Sequence, residues 1–137
     1  MPTRLGRTAV YSVLIWLTGF IWGSVVLMTP ALRRLPAIPY ISTNPAISFP
    51  ILIVWIVLAY LAARNCLKTA TSPASEGRRV GMMFAIVNFA LDLLVLVFLL
   101  KAGFSYFLSL TVWIGYLILL VVPLMTGHSL EAKNKRA

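Results

Sequence analysis

Cysteine, histidine and acidic residues are scarce in this chain of 137 residues. Its single cysteine, Cys66, excludes a disulfide framework within the chain and any multi-cysteine metal site. Its single histidine, His128, excludes the paired axial histidines of a haem and a histidine-rich zinc cluster. We therefore expect no metal site.

The sequence also lacks the patterns that carry catalysis. A nucleophile and base pair needs a usable histidine in the site, and no such arrangement is found. Paired carboxylates and glycine-rich phosphate loops are missing as well. We therefore expect that the protein is not an enzyme and holds no cofactor.

Charged residues make up only 11% of the chain, whereas hydrophobic residues make up 61%. A soluble domain is about half apolar and about a quarter charged, and a chain this small cannot bury the excess. The net charge of +9 would suggest nucleic acid in a soluble protein. Here the basic residues flank apolar runs, so we expect a lipid bilayer around the chain and no nucleic-acid partner.

Four apolar stretches are each long enough to cross a membrane, which takes about 20 residues as a helix. They cover approximately residues 9–28, 45–63, 80–100 and 104–125. None shows the strict alternation of a barrel strand, and helices satisfy their own backbone in lipid. The sequence predicts an all-α integral membrane protein, in which residues 1–137 form a single four-helix transmembrane bundle.

The distribution of lysine and arginine predicts the orientation of these helices. One side of the membrane would carry nine basic residues: Arg4, Arg7, Arg64, Lys68, Arg78, Arg79, Lys133, Lys135 and Arg136. The other side would carry three: Arg33, Arg34 and Lys101. Because cytoplasmic loops are enriched in basic residues, both termini are predicted to be cytoplasmic. The expected location is the cytoplasmic membrane of a bacterium or archaeon.

One acidic residue, Asp92, lies inside an apolar run, in the third predicted helix. Gly81, Ala85, Asn88 and Asp92 fall within about 60° of one another at helical spacing. This stripe is small and polar, whereas the other faces of the helix are large and apolar. A charged group that faces lipid is costly, so we expect the stripe to face the bundle interior.

Glycine and aromatic residues add to this predicted interior. Gly19 and Gly23 form a GxxxG pattern in the first helix, which permits close helix packing. Trp55 and Tyr116 are predicted at the depth of Asp92, where a buried N–H or O–H needs a polar partner. The candidate intramembrane polar site therefore contains Asn88 and Asp92 together with those two aromatic residues.

Two interpretations of Asp92 follow from the sequence. In the structural one, Asp92 is a protonated side chain that holds helices together by hydrogen bonds to Tyr116, Trp55 or another chain. In the functional one, it exchanges protons or binds cations along a pathway, as intramembrane acids often do.

The leading hypothesis for function is a non-enzymatic accessory or scaffold subunit. Such a subunit would pack against the helices of another membrane protein or of its own copies. The first alternative is a small oligomeric transporter or channel that uses Asp92 as its proton or cation site. The second is a binder of an apolar ligand such as a lipid, quinone or pigment. Four helices enclose little volume, so both alternatives favour a dimer.

Overall fold

The computed structural model describes residues 2–30, 45–99, 101 and 110–137. Most of these residues belong to four long helices. They are α1 (Pro2–Met28), α2 (Pro45–Leu67), α3 (Pro73–Leu91) and α4 (Leu110–Arg136), and a π-helical segment, Asp92–Leu99, continues α3. All four, with α3 taken together with its π-helical continuation to Leu99, are long and apolar enough to cross a membrane. The predicted all-α architecture with four membrane-length helices is thereby confirmed.

Helix boundaries differ from the predicted ones mainly where the chain is polar. The third helix begins at Pro73, seven residues before the predicted start, with Glu76 in its first turn. Proline suits the first helical position, and an acidic side chain favours the positive end of the helix dipole. Residues 73–79, which lie before the third apolar stretch, are therefore helical.

The fourth helix continues to Arg136, well past the predicted end near residue 125. Its last turns are stabilised outside the apolar run, because Lys135 lies 3.1 Å from Glu131 in an i,i+4 ion pair. The other oxygen of that carboxylate accepts a hydrogen bond of 3.1 Å from the backbone N–H of Ala74, in the first turn of α3. The predicted start at residue 104 lies outside the described residues.

The first two helices also extend beyond their apolar runs. The first begins at Pro2 rather than near residue 9, and the second ends at Leu67 rather than near residue 63. The added turns carry Arg7 and Arg64, which are exposed. Hydropathy marks only the part of a helix that suits lipid, so polar turns at its ends are missed.

The helices pack as a ring in which α1 contacts α2 and α3, and α4 contacts the same two helices. The most extensive pairing joins α3 and α4. Contacts between α2 and α3 cross the ring, so α1 and α4 lie at opposite corners.

Glycines bring the backbones of α3 and α4 into direct contact. A Cβ atom on Gly81 would lie 2.5 Å from the backbone oxygen of Leu120, and one on Gly77 would lie 2.6 Å from that of Pro123. A Cβ atom on Gly127 would overlap the backbone of Pro73. No side chain fits at these positions, as expected where small residues set the distance between membrane helices.

Trp55 of α2 fills the centre of the ring and is 4% exposed. Its indole lies between two glycines, Gly19 of α1 and Gly115 of α4. A Cβ atom added at Gly19 would come within 2.8 Å of the indole, and one added at Gly115 would come within 2.6 Å of it. Gly23, the second residue of the GxxxG pattern, is also buried. The indole thus links the two helices at opposite corners of the bundle.

Candidate functional site

The carboxyl group of Asp92 lies where three helices meet and is 3% exposed. Trp16 of α1 donates its indole N–H to Oδ1 over 2.8 Å. Tyr116 of α4 donates its hydroxyl to Oδ2. Both carboxyl oxygens therefore accept from neutral donors on different helices, and α1, α3 and α4 are joined through one side chain.

The backbone changes from α-helix to π-helix at this residue. The N–H of Asp92 is shared between the carbonyl oxygens of Asn88 and Phe89. π-Helical turns are rare in proteins, and those that occur often lie at functional sites. Here the change of pitch begins at the residue whose side chain holds the three helices.

Asn88 lies one turn before Asp92 and is fully buried. Its amide nitrogen donates to the backbone oxygens of Phe84, over 2.8 Å, and of Ser12, over 3.3 Å. Within the described residues, its Oδ1 atom has no hydrogen-bond partner. Buried acceptors without a donor are uncommon, and an unseen water or ion is one explanation for them.

The contacts of Asn88 and Asp92 with α1 share one register. Asn88 pairs with Ser12, and Asp92 pairs with Trp16; both pairs are 76 residues apart in sequence. Two contacts one turn apart with the same offset require that α1 and α3 run parallel. The polar stripe of α3 therefore lies against the stripe of α1 that contains Ser12 and Trp16.

Aromatic rings position the phenol of Tyr116. Phe89 meets it edge to face at a centroid distance of 6.0 Å, and Trp113 does so at 5.7 Å. Edge-to-face pairs are favourable beyond the area that they bury. These neighbours limit the ring to the orientation in which its hydroxyl reaches Asp92.

Three of the four residues of the predicted polar site lie together, and the fourth forms its hydrogen bond elsewhere. Asn88, Asp92 and Tyr116 lie at the junction of the helices, but Trp55 donates its indole N–H to Thr18 over 3.2 Å. Trp16 takes the position expected for Trp55. The sequence offered a signal for it, since helical spacing places Trp16 on the same face of the first helix as Ser12, Gly19 and Gly23.

The remaining candidate ligands are separate from this site. Thr8 donates its hydroxyl to the buried Cys66 over 3.7 Å, and His128 is exposed on α4. Among the described residues, no three of His, Cys, Asp and Glu are grouped so that they could hold a metal ion. The chemistry that this arrangement offers is hydrogen bonding and exchange of a proton at one carboxyl.

Comparison of the chain with protein-family models, curated proteins and solved structures gave no significant match.

Proposed function

We propose that this protein is a non-enzymatic, multi-pass membrane protein that serves as an accessory or scaffold subunit. It would pack against another membrane protein or against its own copies, with both termini in the cytoplasm. The observation that carries the proposal is the use of Asp92, which accepts from Trp16 and Tyr116 and so fastens three helices. A carboxyl engaged in this way supports a structural role.

The outer surface of the bundle supports the same role. Large apolar side chains are well exposed on every helix, for example Ile21, Ile53, Ile86 and Leu117. In a membrane such positions face either lipid or the helices of a partner. A scaffold subunit would use one of these faces for a partner and leave the others to lipid.

Site-specific photo-crosslinking in intact membranes tests this proposal. A photoreactive residue is placed at Ile21, Ile53, Ile86 or Leu117, one position at a time. We expect one face to give a reproducible adduct with a defined protein or with a second copy, while the other faces give lipid adducts. Lipid adducts at all four positions would contradict the proposal.

A second function, a proton or cation pathway through Asp92, is favoured by one observation. The Oδ1 atom of Asn88 is a fully buried acceptor without a described donor, one turn from the carboxyl. A water or cation bound to this oxygen atom would give it a partner and would lie close to Asp92.

The Asp92→Asn variant separates the two functions because an amide cannot exchange the proton. Proton or cation flux is measured with pH- or ion-sensitive dyes in proteoliposomes, and assembly is measured in the same preparation. If the parent shows flux and the Asp92→Asn variant assembles but shows none, the protein is a transporter and not a scaffold. Equal dye signals from both, at the level of empty liposomes, would leave only the scaffold role.

A further inference from the structure

A groove of about 650 Å³ runs between α1 and α2. Its wall on α1 is formed by Tyr11, Leu14, Ile15 and Thr18, and its wall on α2 includes Leu58, Leu61 and Ala62. The floor is closed by the buried Ile15 and Ala62, whereas Leu14 and Leu61 on the rims are more than half exposed. The groove is therefore apolar and open toward the lipid.

One end of the groove is basic. Arg64 and Lys68 line it and are exposed, and next to them Asn65 donates its side-chain amide to the hydroxyl of Tyr11. Neither cation forms an ion pair with a carboxylate within the described residues. Their charge is therefore available to an anion at the mouth of the groove.

The length of the groove matches one leaflet of a bilayer. Leu58 and Lys68 are ten residues apart on α2, which is about 15 Å at 1.5 Å per residue. Half of a hydrocarbon core of about 30 Å is the same distance. A groove with cations at one end and an apolar wall over this depth has the polarity of a single lipid molecule.

We propose that the groove holds an anionic glycerophospholipid from the surrounding bilayer. One acyl chain lies between Leu14 and Leu61, and the phosphate binds Arg64 and Lys68. Basic pockets between transmembrane helices bind anionic headgroups on this principle. A helix of about 10 Å diameter would displace roughly 1,200 Å³ over the same length, about twice the volume of the groove, so a lipid chain fits where a helix does not.

Native mass spectrometry of the full-length protein, released from detergent micelles, tests this assignment. The probes are phosphatidylglycerol, phosphatidylcholine with the same acyl chains, and inorganic phosphate. We expect one phosphatidylglycerol to be retained in preference to phosphatidylcholine. The double variant Arg64→Gln/Lys68→Gln should weaken this binding by about 30-fold, because each basic residue near a headgroup contributes about fivefold.

The matched control is Arg78→Gln/Arg79→Gln, which removes the same charge from an exposed pair at the start of α3. It should retain the lipid as the parent does. Equal loss in both double variants would show that only net charge matters and would overturn the proposal. Equal retention of both lipids, or displacement of phosphatidylglycerol by an equal concentration of phosphate, would also overturn it.

A variant that keeps both cations separates lipid binding from folding. Leu14→Trp places a large ring on the exposed rim of the groove and leaves Arg64 and Lys68 unchanged. We expect it to melt within a few degrees of the parent and to lose the lipid. Should Arg64→Gln/Lys68→Gln fail to fold, this variant decides: undiminished lipid binding in Leu14→Trp would mean that the groove is not the site.

Discussion

The buried carboxyl of Asp92 accepts one hydrogen bond at each oxygen, and both donors are neutral. These two bonds determine what Asp92 contributes to the protein. Trp16 and Tyr116 reach the carboxyl from helices that otherwise have little contact with each other. A side chain at this position must therefore offer two polar atoms in a planar arrangement. Asparagine does so and leucine does not.

We predict that Asp92→Asn keeps the stability of the bundle and that Asp92→Leu lowers it by about 1 kcal/mol. The amide can accept from Trp16 and donate to the hydroxyl of Tyr116, whereas leucine can form neither hydrogen bond. Hydrogen bonds in membrane proteins average about 0.6 kcal/mol, so the loss of two is modest. Unfolding by denaturant in detergent micelles gives the comparison, and a leucine variant as stable as the parent would contradict it.

Only part of this residue-level arrangement could be predicted from the sequence. Helical spacing placed Asn88 and Asp92 on one inward face, and depth brought Tyr116 to the same level. The choice between Trp16 and Trp55 depends on the register between helices, which no single helix encodes. Trp55 finds its acceptor in Thr18, whose hydroxyl lies at the same depth on a neighbouring helix.

The contact between Gly19 and Trp55 leads to a second prediction at this scale. Gly19→Leu should lower the melting temperature, because a Cβ atom alone would stand 2.8 Å from the indole and push it away from Thr18. The matched control is Gly6→Leu on the same helix, where a Cβ atom meets nothing within 4 Å. Thermal melting of both variants in detergent checks the prediction, and equal melting temperatures would contradict it.

Among the helices, α3 and α4 form the pair with the most extensive contact. Their backbones touch at Gly77, Gly81 and Gly127, and the Glu131 carboxylate joins the end of one helix to the start of the other. Of these residues, only Gly81 belongs to the inward stripe that spacing predicts. The others lie in turns where the sequence is polar, so an apolar pattern cannot show that they are packed.

We predict that Gly81→Ala destabilises the bundle by about 1–3 kcal/mol, the usual cost of overpacking. The added methyl group would lie 2.5 Å from the Leu120 carbonyl oxygen, and backbone atoms cannot rotate away as a side chain can. Gly6→Ala is the control, and it should instead stabilise α1 by about 0.5–1 kcal/mol because alanine restricts the unfolded chain. Equilibrium unfolding of the two variants should therefore shift in opposite directions, and a shift in the same direction would contradict the close contact.

Unlike a soluble protein, the molecule exposes large apolar side chains on every helix, and it buries a few polar side chains within an otherwise apolar interior. Ser12, Asn88 and Asp92 are buried at the helix junction, while leucine, isoleucine and phenylalanine side chains cover the surface. Composition and run length are sufficient to predict this apolar surface and the number of helices. The groove between α1 and α2 was not predictable, because its shape depends on how far two apolar surfaces separate.

The orientation of the bundle in the membrane is predicted from the distribution of its basic residues and not from the packing of its helices. With nine basic residues on the side of the termini and three on the other, we predict that a fluorescent protein fused after Ala137 matures in the cytoplasm. A phosphatase that folds only outside the cytoplasm should be active when inserted near Ile38 and inactive after Ala137. Each reporter at the other position serves as the control. The reverse pattern would overturn the orientation but not the lipid groove, because Arg64 and Lys68 would then meet anionic lipids of the opposite leaflet.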